Sequence, residues 1–403
     1  MVMANKKKVS RWTPEDYASV KVFGSGAIKL ADSQVAPLVA QSRGYSTVED
    51  AEGAKSIASL AYAEETQKRA LTRRLTTMTQ DANDFLVLPW YSLAAVASRQ
   101  TTADSACTQV RPARPLMNAK TKKAPKYELL AGHDSVLDVN PATPLEWLTE
   151  SPTVLITEGC MKGDAALSAK LLDAGIDRDA LSAIAEGTQH EARLALQALM
   201  TSLPRREWVT VMSLVGVGNW HKQPEWNSVR LTNRDVWLAF DGDLRTNRAV
   251  WDQTERMWEF ILTRKGAPKL LDLGGASAEK DALTSGYDGK VGIDDYLSHV
   301  GTWKDLEQLL ESGLPGAPER TKGAGGYRPG DFRVTDDGLA VEECVKRTDA
   351  TGDTAVIWEP RLPYGGRVKR ISSLHAISEI TPTTGKATPQ NVIRSAKKGQ
   401  CVI

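Results

Sequence analysis

Two short acidic motifs in this chain have the residue types and spacing that phosphoryl chemistry uses. Glu158-Gly159 follows the apolar, β-branched run Thr153-Val154-Leu155-Ile156-Thr157, and Asp241-Gly242-Asp243 follows Val236-Trp237-Leu238-Ala239-Phe240. Acids at the ends of parallel strands converge on one rim, where functional residues collect in open α/β sheets. Carboxylates crowded there repel one another, and a divalent cation relieves that cost. They are hard oxygen donors, and Mg2+ (or Mn2+) accepts one or two of them while keeping waters and substrate phosphates. The neighbouring glycines permit tight turns and close approach of a phosphate backbone. Acids after strands also cap helices or sit in turns, and a lone Glu-Gly reads that way. Here each motif both follows an apolar strand and precedes a helix. Lys162, one helical turn after Glu158, is placed either to meet a phosphate or to stand in solvent.

The elements that must position these residues alternate. After the strand ending at Glu158, a helix is expected over Lys162 to Ala174, with Gly175 as its stop. A further helix is expected over 187–202, then strands at Trp208–Val215 and Val236–Phe240. Asn247 opens a helix whose apolar face is Val250, Trp251, Thr254, Trp258, Ile261 and Leu262, ending at Gly266, and Leu270-Leu271 marks a fourth strand. Strand–helix alternation predicts an α/β domain over 151–300, with a parallel sheet covered by helices on both faces. About 50 residues separate Glu158 from Trp208, more than a minimal crossover needs, so a helix is inserted there.

Around this core the texture changes. Residues 1–84 read as a basic tail and a helical region, its clearest piece the run Ala51 to Leu75. Residues 85–150 read as a small β-rich, basic unit, with strands at Phe85–Leu88, Cys107–Val110 and Tyr127–Leu130. Its connecting loop, Arg111 to Lys126, holds Arg111, Arg114, Lys120, Lys122, Lys123 and Lys126 and no acid, and three prolines keep it out of a helix. Such a loop either tracks a nucleic-acid backbone or is simply solvated. Residues 301–330 read as a helix and a Gly/Pro linker, and 331–403 as a small β-rich C-terminal module.

Composition sets the outer bounds. With 403 residues, 41% hydrophobic and 25% charged, the chain suits a soluble globular protein of two or three units. A net charge of +1 confines any nucleic-acid surface to a local patch. No apolar run is long enough to span a membrane, and no secretory leader is expected. The four cysteines are scattered without a CxxC, which argues against a zinc site and a disulfide framework and for a cytoplasmic location, that of the host if the chain is phage-encoded.

The order of motifs resembles the Toprim domain of bacterial-type primases, topoisomerases, small nucleases and recombination proteins, and more closely the primase-like Toprim family of phages and plasmids. The similar pieces are Ile156-Thr157-Glu158-Gly159 with Lys162, Asp164 and Ala165, then Leu238 to Asp243, then Lys290-Val291-Gly292-Ile293-Asp294-Asp295-Tyr296-Leu297. Gln109-Val110-Arg111-Pro112, Lys126-Tyr127-Glu128 and Gly216-Val217-Gly218-Asn219-Trp220 extend the likeness over about residues 85–300. The resemblance implies that Glu158 acts as general acid/base or helps hold a metal. It implies that Asp241 and Asp243 bind Mg2+, that Asp294 or Asp295 supports the metal site, and that Lys162 serves the catalysis.

The function so implied is a primase-like nucleotidyltransferase in phage or plasmid replication, joining nucleoside triphosphates on single-stranded DNA or RNA. A metal-dependent nuclease with the same carboxylates and a non-catalytic nucleic-acid-binding accessory for replication or defence stay open, because positioning and metal electrostatics serve both chemistries. No GxxxxGK[ST] loop occurs, so unwinding is expected from a replicative helicase in trans.

Overall fold

The computed structural model describes residues 12–117, 124–285, 291–318, 332–334, 341–348 and 354–360. Two compact units result, Met1–Glu319 and Arg320–Ile403. The expected boundaries at 84 and 150 fall inside the first unit, whose elements share cores.

The chain enters through α1 (Gly24–Asp32) and α2 (Pro37–Arg43), then β1 (Ser46–Val48). The expected single helix from Ala51 is two, α3 (Ala51–Ser59) and α4 (Glu65–Met78). Asp50 caps α3, and the chain breaks at Ala61, whose methyl is buried beneath both helices. Then come β2 (Phe85–Trp90), α5 (Leu93–Arg99), β3 (Cys107–Pro112) and β4 (Glu128–Leu129), forming with β1 an antiparallel sheet in the order β1-β2-β3-β4. Alternation along β2 explains its two-sided burial: Phe85 and Val87 face α3 and α4, while Leu86, Leu88 and Trp90 join the core beneath α1 and α2.

The second sheet begins with β5 (Asp138–Val139) and continues, after α6 (Leu145–Glu150), with β6 (Thr153–Glu158), α7 (Cys160–Asp173), α8 (Gln189–Ser202), β7 (Val209–Leu214), β8 (Asp235–Ala239), α9 (Arg248–Thr263) and β9 (Ala267–Leu271). Next come α10 (Ala276–Ser285), α11 (Ile293–Asp295), α12 (Trp303–Glu307) and β10 (Leu310–Glu311). Across the sheet the order is β10-β9-β8-β6-β7-β5. The four central strands are parallel, and β5 and β10 are antiparallel edges. Continuous apolar strands buried on both faces are what a covered parallel sheet requires. Leu155, Val211 and Ala239 pack under α7 and α8, whereas Val154, Ile156, Met212 and Leu238 pack against α9.

The β6–β7 connection thus lies on one face and the β8–β9 connection on the other. The chain moves from β6 outward to β7, then returns to the far side of β6 as β8. Connection direction therefore reverses between β6 and β8, and a crevice opens at their carboxyl ends. The second unit contributes β11 (Phe332–Val334), β12 (Val341–Thr348) and β13 (Thr354–Pro360) as an antiparallel sheet. No helix among the described residues is long and apolar enough to cross a membrane.

Candidate active site

Glu158 is the last residue of β6, and Asp241 follows β8 across one intervening residue. Gly159 turns the chain with φ +85, a conformation that L side chains rarely adopt, and α7 begins at once. Lys162, in the first turn of α7, forms an ion pair with Asp241. The lysine and the aspartate side chains keep 22% and 24% of their exposure, so the pair is open to solvent on one side. Gly242 lies against the loop after β9: a Cβ there would stand 3.1 Å from the Leu273 carbonyl oxygen, and its N–H donates to Val291 O at 3.2 Å. Close backbone packing thus fixes the turn that carries Asp241 and Asp243.

The Val291–Asp295 segment closes the site from above. A Cβ on Gly292 would meet Asp294 Oδ1 at 3.0 Å, Lys162 Nζ at 3.1 Å and Asp241 Oδ1 at 3.2 Å. Three charged side chains therefore converge on Gly292, where a Cβ would press on all three. Asp294 is buried; its Oδ2 accepts from Ser33 Oγ at 3.0 Å and lies 3.6 Å from Lys29 Nζ, while its Oδ1 has no hydrogen-bond partner. Asp295 accepts from Gly292 N–H at 3.0 Å and acts as a local cap.

Electrostatics follow from this crowding. Burial raises the Glu158 carboxyl above its ordinary range; the Val217 N–H pulls it down, Asp241 and Asp243 push it up, and Lys162 opposes them. Burial works against the Lys162 ammonium, but Asp241, Asp294 and Glu158 outweigh it and hold the lysine above its ordinary value. Burial, then Asp294, raise Asp295, against the Gly292 N–H, Lys29 and Lys162. Glu158, Lys162, Asp241, Asp243 and Asp294 thus act within one electrostatic neighbourhood.

One partner escaped sequence reasoning. Asp272 directly follows β9, as Asp241 nearly follows β8, and it receives both Arg245 Nε and Arg245 Nη2. The signal was present: an acid immediately after the apolar pair Leu270-Leu271. Tyr127, already named in the likeness, also reaches the site. Burial raises its phenol, Arg111 and Lys162 lower it, and Asp294 raises it, so the start of β4 stands beside the acidic cluster.

Of the basic run, Arg111 lies within β3 rather than in a loop, because strand pairing sets it opposite Leu86 on β2. Its guanidinium stacks over the Tyr127 ring at 5.9 Å. Arg114 and Lys126 are exposed beyond the strand ends, and Lys120, Lys122 and Lys123 lie outside the described residues, as does Lys290.

The donor set fits a hydrated divalent cation better than a dry cage. Among the described residues no group of three or more His, Cys, Asp or Glu side chains is gathered closely enough to hold a metal by itself. One or two hard carboxylates with waters and substrate phosphates is the arrangement magnesium uses, and the unpartnered Asp294 Oδ1 adds negative potential behind them.

No protein-family model matches the chain, and no curated protein matches it in sequence. Among solved structures, the Aquifex aeolicus primase, comprising its zinc-binding and RNA polymerase domains, is similar at 11% identity over 71% of this chain and 55% of that one, with a TM-score of 0.38. The chain spans about half the length of that structure.

Proposed function

We propose that this protein is a Toprim-type, primase-like nucleotidyltransferase that makes primers on single-stranded DNA or RNA from nucleoside triphosphates. The observation that carries the proposal is the meeting of Glu158, Asp241 and Lys162 at the carboxyl ends of adjacent parallel strands, where connection direction reverses. Glu158, raised by burial, takes the proton from the attacking hydroxyl. Lys162 stands where it meets a triphosphate, and Arg111 beside Tyr127 lies where a template backbone passes the acids. Asp241 and Asp243 would hold Mg2+ or Mn2+ with waters and substrate phosphates completing its shell, and Asp294 and Asp295 would support them. A cation held there would neutralise charge developing on the transferred phosphoryl group. Unwinding comes from a replicative helicase in trans, in the cytoplasm of a phage- or plasmid-bearing host.

The test is incubation of the full chain with labelled nucleoside triphosphates, Mg2+ and a single-stranded template. Extension products are expected, with Asp241→Asn reducing their formation at least about 100-fold while the melting temperature stays near the wild-type value. Fragments of the template without extension would replace this function by the nuclease. Neither product would leave a nucleic-acid-binding accessory.

A further inference from the structure

The opposite edge of the same sheet carries a second charged site of the other sign. A cavity of about 770 Å³ opens where β6 and β8 begin, beside the residues that lead into β7. Arg205, Arg206, Arg230 and Arg234 line it, with Glu150 as the one carboxylate among its lining residues. Strand β6 has six residues, so this cavity lies roughly 20 Å from Glu158 and belongs to no part of the proposed catalytic edge.

Arg234 forms its floor and is 4% exposed. Its guanidinium donates to neutral groups: Leu148 O at 3.0 Å, Trp147 O at 3.2 Å, Arg230 O at 2.9 Å, Thr210 Oγ1 at 2.9 Å, and Ser151 Oγ. Its Nε has no partner, and among the described residues no carboxylate pairs with it. A buried cation without a counter-charge is disfavoured, and burial lowers this guanidinium to about 10. Arg230 at the rim also lacks a carboxylate partner among the described residues. Arg205 lies 3.9 Å from Glu150, and Arg206 lies 3.4 Å from Glu207, whose carboxylate is already held by Lys170 at 2.7 Å. Like charges gathered with so little compensation leave a strong positive potential in a concave, partly desolvated space.

We infer that this cavity binds successive phosphate groups. Guanidinium forks match phosphate oxygens in bidentate fashion, here those of Arg206 and Arg230 at the exposed rim, and the Asn233 side-chain amide adds a neutral donor, while the Thr149 and Thr232 hydroxyls already donate to Leu145 O and Arg264 O. No aromatic side chain is among the lining residues, so the site has nothing on which to stack a base. Recognition is of the phosphate chain, from either a free oligophosphate or a nucleic-acid backbone.

The test uses the full chain in magnesium-free buffer, titrated calorimetrically with sodium tripolyphosphate. Binding is expected, weakening as salt rises, and the double variant Arg206→Glu/Arg230→Glu should lose at least about tenfold in affinity with an unchanged melting temperature, since both residues are exposed. Displacement of a labelled oligothymidylate by tripolyphosphate, lost in the double variant, identifies the backbone as the source; tripolyphosphate binding without displacement identifies a free oligophosphate. Binding of undiminished affinity in the double variant, or no binding by the wild type, overturns the inference.

Discussion

Helix α7 carries two charge clusters that use the same residue types to opposite ends. Lys162 in its first turn pairs with Asp241 in a half-open site. Asp164, two residues on, faces inward to Arg43 at the end of α2, and there both side chains are 1% exposed. In the inner cluster every carboxylate oxygen has a donor. Asp138 receives Arg43 Nη1 at 2.8 Å and Nη2 at 3.0 Å, and also the Tyr91 N–H at 2.7 Å. Asp164 receives Arg43, Tyr45 Oη at 2.8 Å and Asn140 Nδ2 at 3.0 Å. In the outer cluster Asp294 Oδ1 has no hydrogen-bond partner, and Glu158 is raised by burial and by the neighbouring acids. Saturation with donors, rather than residue type, thus separates a joint of the fold from a site that still has capacity for a cation.

The largest effect that tests this contrast is on stability. Arg43→Ala leaves two buried carboxylates without their cation, and breaking such a cluster costs about 3–5 kcal/mol. Urea unfolding followed by tryptophan fluorescence measures it. A loss below about 1 kcal/mol would mean that the inner cluster is no more committed than a surface pair, and the contrast would fail.

The two clusters were also unequally legible. Glu158 and Asp241 were visible because apolar runs of strand length end beside them, and the element order around them is strictly local information. The C-terminal stop of α7 was visible at Gly175, whose φ of +92 only glycine readily adopts. Arg43 and Asp138 were not visible, and Asp164 was read only within the likeness and not as their partner, because the partners lie 95 and 121 positions apart and no pattern along the chain joins them. Arg111 was misplaced in a loop because Pro112 ends the strand by pairing at its last position, opposite Phe85, rather than before it. The break between α3 and α4 was hidden because Leu60, Ala61 and Ala63 continue a helical composition while tertiary packing ends the helix. The arginine cavity was hidden because its cations come from two separate approaches to strands, Arg205 and Arg206 before β7 and Arg230 and Arg234 before β8, each unremarkable alone.

A smaller effect tests Glu158 through pH, against a background in which burial also raises Asp138 of the inner cluster to about 6. Burial raises Glu158 above its ordinary value of 4.5. The folded chain therefore binds more protons than the unfolded chain in the window just above that value, so stability falls as pH rises through it and is regained below it. Glu158→Gln removes this contribution, and its urea midpoint should depend less steeply on pH than that of the wild type in the same magnesium-free buffer. An unchanged slope would show that Glu158 does not carry the strain of the outer cluster.

The smallest effect concerns the lysine itself. Lys162 places an ammonium against Asp241, where a divalent cation would also seek the carboxylate, so the two compete for the same charge. The pair is partly exposed and solvent screens it, so its worth is within about 1 kcal/mol. Lys162→Met should accordingly cost little stability and raise the affinity for Mg2+ by no more than about fivefold. The measurement is the midpoint of the Mg2+-dependent rise in melting temperature, compared between the variant and the wild type without nucleotide present. A weaker Mg2+ response in Lys162→Met would show that the lysine orders Asp241 for the cation instead of competing with it. The outer cluster would then share the structural character of the inner one, and the distinction drawn along α7 would narrow to burial alone.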